Sequence, residues 1–531
     1  MNFIEEKILE KGNVNEKLAL RFPPENSGYL HLGHVKSICL NFGLAEKYNG
    51  ICNLRFDDTN PTNESTEFTN SIIDNIKWLG FTPNKICYTS DYFHFIYDCA
   101  IVLIKKGLAY VDDSTSEEIA NLKGTPTVGG KNSPFKNRSI EENLDLFERM
   151  KNGEFVEGSK TLRASIDMTS LNMFLRDPIL FRIINKKHDR VGNSNIYPMY
   201  DFAHPISDYV EGISDSLCTL EFELHRPLYN WILENLDFKN RLPEETEFSR
   251  LNMEYTVMSK RKLKLLVENN IVDSWSDPRL PTISALKRKG YTAKSLRYFC
   301  DKISVTRNDV LISNSVLEEC LREELNETAD RFMSVLDPVK LIITNYTGEE
   351  ILDIEYRGDI TRKVPFTNEL WIEREDFKEI ADKKYHRLKL GEEVRLKGAY
   401  VIKANSVVKE GDVIKEIHCT YDPLTKSGML IDRKIKGTIH WVSCKTSIDA
   451  EIREYSNLFT EVSPDKSENF LECLNKDSLK ISTAKIEPAL KELIEDKAVQ
   501  FIRKGYFILD GNSSNDKMIF NKTVSLKESY K

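Results

Sequence analysis

The apolar positions of this chain change period along its length, and the changes mark out its architecture. Leu18-Ala19-Leu20-Arg21-Phe22 is a short apolar run of strand length, stopped by Pro23-Pro24. Val35, Ile38, Cys39, Phe42, Ala45 and Tyr48 then recur at helical spacing. Ile51-Cys52-Asn53-Leu54-Arg55-Phe56 gives the next strand, ended by Asp57-Asp58-Thr59-Asn60-Pro61. Strand, tight loop, helix and strand predict a βαβ unit, hence a parallel sheet. Ligands of such sheets sit at the carboxyl ends of strands, where the loop at 23–34 and Asp57 both fall. A second helix is predicted from about Glu64 to Leu79.

The pattern then shifts. Residues 107–196 mix short helices with a Gly/Pro/Asn-rich stretch from Gly124 to Arg138, which predicts a domain inserted into the sheet domain. The sheet is expected to resume shortly after Ile196. Helices dominate 258–330, where Ser315 and Glu318 fit a capping box. From about Asp337 the period becomes two. Val394-Arg395-Leu396, Ala399-Tyr400-Val401-Ile402, Val413-Ile414 and Thr438-Ile439-His440-Trp441-Val442 predict strands, separated by turns such as Glu410-Gly411-Asp412. Roughly 200 residues of short strands predict one or two barrels. The fold class is therefore multidomain α/β plus all-β.

Composition narrows the setting. With 531 residues, 40% hydrophobic and 30% charged, the chain has the profile of a globular protein of three or four domains. The start, Met1-Asn2-Phe3-Ile4-Glu5-Glu6-Lys7, is no secretory signal, and no apolar run reaches membrane length. The ten cysteines are scattered without a C-x-x-C pair, which argues against a structural zinc site and a disulfide framework. A cytoplasmic location and no metal ligand set are expected. The net charge of −8 does not exclude a nucleic-acid partner, because distribution matters more than the sum. The stretch from Leu286 to Arg307 carries Lys287, Arg288, Lys289, Lys294, Arg297, Lys302 and Arg307 against only Asp301.

Two segments carry candidate chemistry. His31-Leu32-Gly33-His34 lies where a strand loop feeds a helix N-terminus, a place that binds phosphate through backbone N–H groups and the helix dipole. Gly33 lets a base or ribose approach the backbone. Two imidazoles there are placed to donate to phosphate oxygens as charge develops. Alone, H-x-G-H is a weak pattern, since two loop histidines are commonly capping residues. The second segment is Val257-Met258-Ser259-Lys260-Arg261-Lys262. Lys260, a point charge on a flexible stem, suits a triphosphate reached from a mobile loop, although such a run alone is more often a basic surface loop.

Together these segments resemble the paired nucleotide signatures of the class I aminoacyl-tRNA synthetases. Five further stretches resemble the glutaminyl members of that family: Arg21-Phe22-Pro23-Pro24-Glu25, 53–61, Tyr197-Pro198-Met199-Tyr200-Asp201-Phe202, Leu217-Cys218-Thr219-Leu220-Glu221-Phe222 and Glu247-Phe248-Ser249-Arg250-Leu251-Asn252. The likeness runs from about residue 18 to the C-terminus and includes Tyr400-Val401-Ile402-Lys403-Ala404.

The resemblance implies a Rossmann-type catalytic domain at 1–95 and 206–257, and an inserted acceptor-stem-binding domain at 96–205. It also implies a helical connective domain at 258–330 and anticodon-binding barrels at 331–531. ATP, with Mg²⁺, would be cradled by Glu25, Asn26 and Ser27, by the turn His31, Leu32, Gly33, His34, Val35, Lys36 and Ser37, by Thr219, Arg250 and Leu251, and by Met258, Ser259 and Lys260. His31, His34 and Lys260 would be the catalytic residues. Asp57 would take the ammonium of the amino acid, with Tyr200, Arg21, His204 and Cys218 lining the same pocket. A transfer RNA would be held by Thr306, Arg307, Asn308, Asp309, Val310, Leu311, Ile312 and Ser313, and Arg331 would read the anticodon. The implied reaction activates L-glutamine with ATP and passes it to tRNA(Gln), through positioning and charge stabilisation rather than a covalent enzyme intermediate. A monomer acting away from membranes is expected.

A site for glutamate must neutralise a buried carboxylate, normally with Arg or Lys, whereas a site for glutamine needs neutral donors and acceptors. The neutral Cys218, where resembling glutamyl enzymes place Arg, favours the amide. Several positions depart from the family pattern. Glu25-Asn26-Ser27-Gly28-Tyr29 replaces P-E-P-N-G-Y, and Val257 replaces a lysine. Leu224 stands where an acceptor-reading Asp is common. Glu244-Glu245-Thr246 replaces R-Q-Y, whose Gln supports the amino-acid pocket. Three other readings compete: a glutamyl-tRNA synthetase, discriminating or non-discriminating; a synthetase-derived RNA-binding or regulatory protein without catalysis; and a small H-x-G-H nucleotidylyltransferase, which leaves the basic run at Lys260 and the C-terminal strands unexplained.

Overall fold

A computed structural model describes residues 2–10, 17–62, 66–382, 384–493, 496–514 and 516–527. It divides into two compact units, the first made of Met1–Asn252 with Cys300–Ile312 and the second of Met253–Phe299 with Ser313–Lys531.

In the first unit, helix α1 (Phe3–Glu10) precedes strand β1 (Ala19–Phe22), helix α2 (Leu32–Lys47) and strand β2 (Ile51–Phe56), so the predicted βαβ unit is present. Helix α3 (Thr66–Trp78) leads to β3 (Ile86–Tyr88) and α4 (Phe93–Lys105). The predicted start of α3 at Glu64 lies outside the described residues. Strands β1, β2 and β3 pair in parallel. All four residues of β1 are buried, as expected of a parallel strand covered on both faces.

The chain then leaves this sheet. Strands β4 (Ala109–Asp112), β5 (Thr161–Ala164), β6 (Ile179–Ile183) and β7 (Ile196–Pro198) form an antiparallel sheet, with α5 (Ser116–Lys123) and α6 (Ile140–Lys151) between the first two. The strand at Ile196 therefore closes this antiparallel sheet, and the parallel pattern does not resume there. It resumes after α7 (Tyr200–Glu211), at β8 (Asp215–Thr219), which pairs in parallel with β9 (Glu244–Phe248) beyond α8 (Arg226–Asn235). Ser214 joins β8 to β1: its N–H donates to the Ala19 carbonyl (2.9 Å) and its Oγ accepts from the Ala19 N–H (3.0 Å). The chain thus moves outward from β1 through β2 on one side and through β8 on the other. That reversal creates a crevice at the strand carboxyl ends.

The second unit begins with helical segments Lys260–Glu268 and Ile283–Lys289 and continues through the helix Asn314–Thr328. The N-cap of that last helix is Ser313, whose Oγ accepts from the Ser315 N–H (3.4 Å), so the cap lies two residues before Ser315, where the capping box was expected. Two seven-stranded sheets follow, the two barrel-like layers that the period-two pattern predicts. Val401–Glu410 and Val413–Asp422 form an antiparallel hairpin across the Gly411-Asp412 turn. Ala399 and Tyr400 lie in the turn before it. Each sheet has its own apolar core, one around Trp441, Leu341 and Ile402 and one around Phe501, Phe507 and Phe520. Among the described residues, no helix is long and apolar enough to cross a membrane.

Candidate active site

The first unit's site grows from the start of α2. His31 is the N-cap residue: its Nδ1 accepts from the Gly33 N–H (3.1 Å), while His34 Nδ1 accepts from the His31 N–H (3.1 Å). Both Nδ1 atoms act as acceptors, so in neutral rings the proton sits on Nε2 of each. The rings lie 3.9 Å apart between centroids. The motif therefore presents two imidazole N–H donors at the positive end of a sixteen-residue helix dipole. Gly33 is required for packing: an added Cβ would lie 2.9 Å from His31 Cε1 and 3.0 Å from its Nδ1.

Leu32, Val35 and Lys36 face inward from the same turn, and Ser37 is half-buried. Lys36 Nζ donates to the Ser249 carbonyl (2.7 Å) and Oγ (3.2 Å), and burial lowers its pKa. Its role here is to tie α2 to the end of β9, next to Arg250 and Leu251. Glu25 is exposed and accepts from Ser27 Oγ (2.9 Å), while Asn26 is buried. Arg250 pairs with Glu221 (2.9 Å), and these two, with Leu220 and Asp309, line a cavity of about 320 Å³ beside Thr219.

The five amino-acid candidates come from β1, the end of β2, α7 and β8. Asp57 accepts from Thr59 Oγ1 (2.8 Å), and burial raises its pKa. Tyr200 stacks on His204, with centroids 5.0 Å apart. Its hydroxyl proton is held tightly by burial, and it feels the charges of Arg21, Asp57, Cys218 and Glu245. The five positions therefore converge.

Beneath them lies a charge network that sequence reasoning missed. Asp208, fully buried on α7, accepts from Arg21 Nε (3.2 Å), Arg55 Nη2 (2.6 Å), Ser216 Oγ (2.7 Å) and Tyr229 Oη (2.9 Å). Burial opposes its ionisation, but the Arg21 and Arg55 charges outweigh this and hold its carboxyl far below the ordinary range. Arg21 also donates to the Leu217 carbonyl (2.8 Å), to Ser216 Oγ (2.7 Å) and toward His204 Nε2 (2.7 Å). Arg55 pairs with Glu211 (3.2 Å). His204, buried between two guanidinium groups, is kept neutral chiefly by desolvation. Arg21 is 0% exposed, so it supports the pocket from below. A signal was available: His204, Asp208 and Glu211 recur at one helix face, and Arg21 and Arg55 sit inside apolar strands.

Beside Cys218, burial pushes the Glu245 carboxyl up to about 8, with Asp208 and Glu247 adding to that effect and Arg21 opposing it.

The remaining candidates fall elsewhere. Thr306 bonds Ser249 through side chain (2.8 Å) and carbonyl (2.8 Å), and Arg307 covers the Phe3 ring at 4.6 Å. Asn308, Asp309, Val310 and Leu311 are exposed, and Ile312 is half-buried. Ser313 caps the following helix. In the second unit, Ser259 is the N-cap of the helix that Lys260 begins, and Val257 is buried. Met258 N–H (3.4 Å) and Lys262 Nζ (3.1 Å) donate to Asp465, so the predicted mobile loop is an anchored helix start. Arg288 of the basic stretch is bound to Asp273 (2.8 Å) and Asp510 (2.9 Å), which removes it from an RNA-facing surface. Arg331 is paired with Glu355. A basic cavity of about 610 Å³, with Lys378, Tyr385, His386, Arg387 and Arg503 in its lining, lies in the barrel region.

Comparison with known proteins gives this geometry its class. Residues 17–327 match the family model described as "tRNA synthetases class I (E and Q), catalytic domain". Residues 329–422 and 438–510 match two models described as the anti-codon binding domain of the same synthetases. The chain belongs to the class I aminoacyl-tRNA synthetases of the glutamate and glutamine group, and it is an aminoacyl-tRNA ligase that uses ATP and tRNA. Its similar relatives include the glutamine--tRNA ligase of Photobacterium profundum, 51% identical over 542 residues, covering 100% of this chain and 97% of the relative. Those of Clostridium kluyveri (50% over 545 residues) and Escherichia coli O157:H7 (51% over 541 residues) each cover 100% of this chain and 98% of the relative.

Proposed function

We propose that the chain activates L-glutamine and transfers it to tRNA(Gln) in the cytoplasm; its similar relatives carry the name glutamine--tRNA ligase. One observation carries the choice of amino acid: the cations beneath the pocket are already matched. Arg21 and Arg55 share Asp208, and Arg55 also holds Glu211, so the network has two positive and two negative charges. A buried glutamate side chain would need a counter-charge that this network does not leave over. A glutamine amide needs only neutral partners.

In this reading, Asp57 receives the ammonium group and Tyr200 packs over the substrate, with Cys218 on the pocket wall. The amino-acid carboxylate attacks the α-phosphate of ATP, giving an adenylate and pyrophosphate, and the terminal ribose hydroxyl of the tRNA then takes the acyl group. His31 and His34 donate Nε2–H to the phosphates, and Lys260 adds a further positive charge. Mg²⁺ belongs to ATP: the α2 start offers imidazole and amide N–H donors, which suit phosphate oxygens and not a hard cation. Binding of tRNA would use 306–313, and Arg331 with the barrel region would take the anticodon.

Charging assays with purified tRNA for glutamine and for glutamate, each with its own amino acid, test the proposal. Glutamine on its own tRNA is the expected product, and glutamate transfer at comparable kcat/KM would overturn it. Lys260→Ala should slow pyrophosphate exchange by orders of magnitude while leaving the circular dichroism spectrum unchanged. A full-rate variant removes that lysine from the mechanism.

A further inference from the structure

Strands β8 and β9 place one thiol and two carboxyl groups on one face. Cys218 lies opposite Glu247 in the parallel ladder, and Glu245 is two residues before Glu247 on the same side. Each residue offers one ligand atom, and the three atoms lie within 4.8 Å of one another. Glu245 and Glu247 are only 5% and 7% exposed, yet Oε1 of each lacks a hydrogen-bond partner. Native proteins rarely leave buried carboxylate oxygens unmatched.

The neighbouring cations do not fill the gap. Arg226 donates to Glu247 through Oε2 alone (2.9 Å), and Arg21 is committed to Asp208. Arg226 already offsets Glu247, so a divalent ion entering the cluster would displace the protons that burial keeps on Cys218 and Glu245 and would be matched by the two charges they leave. Sulfur in the set selects a borderline metal over Mg²⁺ or Ca²⁺. Cysteine spacing gives no hint of such a site, because its ligands come from two neighbouring strands.

We infer that Cys218, Glu245 and Glu247 form a binding site for a divalent cation of the zinc type. The site shares Cys218 with the proposed amino-acid pocket, so it is tested by metal binding and not by activity.

Zinc chloride alone, titrated by calorimetry into the metal-stripped full chain, tests it, with zinc-edge X-ray absorption on the product. One equivalent should bind with proton release and with a coordination shell of one sulfur near ~2.3 Å and oxygens near ~2.0–2.2 Å. Glu245→Gln and Cys218→Ser should each weaken binding at least about tenfold. On the unmodified protein, zinc but not magnesium should slow maleimide alkylation of Cys218 about tenfold or more, a readout that needs no variant to fold. Absence of stoichiometric binding, a shell without sulfur, binding indifferent to both substitutions, or unprotected Cys218 would each overturn the site.

Discussion

Replacing Asp208 by Asn keeps the shape of the side chain and removes the charge on which two buried guanidinium groups depend. The carboxylate accepts four hydrogen bonds, two from Arg21 and Arg55 and two from Ser216 and Tyr229. In the variant, Glu211 alone faces two cations, and one carboxylate oxygen becomes an N–H group aimed at donors. Removing one partner of a buried ion pair costs about 3–5 kcal/mol. The upper half of that range is expected here, since Arg21 and Arg55 are 0% and 1% exposed. The units of a multidomain chain need not unfold together, so the effect is best read locally. Hydrogen exchange of peptides from β1, β2 and α7 reports the opening of this region, and a loss of about 4–5 kcal/mol accelerates it roughly 10³–5×10³-fold. Glu211→Gln should give a smaller acceleration, because it leaves Asp208 in place. Exchange in Asp208→Asn within about threefold of the parent would refute the view that this network holds the pocket floor.

Three other outcomes follow. Gly33→Ala should push the His31 ring out of its cap, costing about 1 kcal/mol of helix stability and raising the KM for ATP in pyrophosphate exchange about tenfold or more; an unchanged KM would detach that ring from the nucleotide. Cys218→Arg should lower kcat/KM for glutamine about 10²-fold yet gain little glutamate activation, because Glu245 and Glu247 neutralise the new cation; adding Glu245→Gln should raise glutamate activation, and equal glutamate rates in single and double variants would contradict this. Burial opposes ionisation of Glu373, but the His440 ring 3.5 Å away, the charge of Lys504 and hydrogen bonds from the Leu336 and Asp337 N–H groups bring its pKa down to about 2. A depressed carboxyl stabilises the fold above its unfolded value near ~4.3 and loses that contribution as pH falls toward ~2, so the melting-temperature gap between parent and Glu373→Gln should be full at pH 7 and shrink steadily below about pH 4.5.

The order β1, α2, β2 was legible because its apolar spacing is nearly undiluted, and the barrel hairpin because Gly411-Asp412 interrupts a clean alternation. The turn at His31–His34 was legible for a local reason: a glycine between two histidines at a helix start fixes its own hydrogen bonds. Elsewhere local pattern competes with tertiary demand. Arg21, inside Leu-Ala-Leu-Arg-Phe, looks like a pocket residue until Asp208 arrives from a helix 187 positions later to bury it. Ser313, Asn314 and Ser315 all suit a cap, so spacing to Glu318 does not choose among them. The return of the parallel sheet was expected shortly after Ile196 and comes only at Asp215, because pairing direction leaves no mark on runs this short. Lys260 was placed in a loop because the anchor, Asp465, is distant in sequence.

The most direct measurement of the central claim is a crystal structure of the protein with a non-hydrolysable ATP analogue and glutamine. The account predicts phosphate oxygens within hydrogen-bond distance of Nε2 of His31 and His34 at the start of α2. It also predicts the glutamine ammonium on Asp57 and its amide beside Tyr200 and Cys218. A nucleotide bound away from α2, or a pocket that takes glutamate with Arg21 turned from Asp208 to meet its carboxylate, would contradict it.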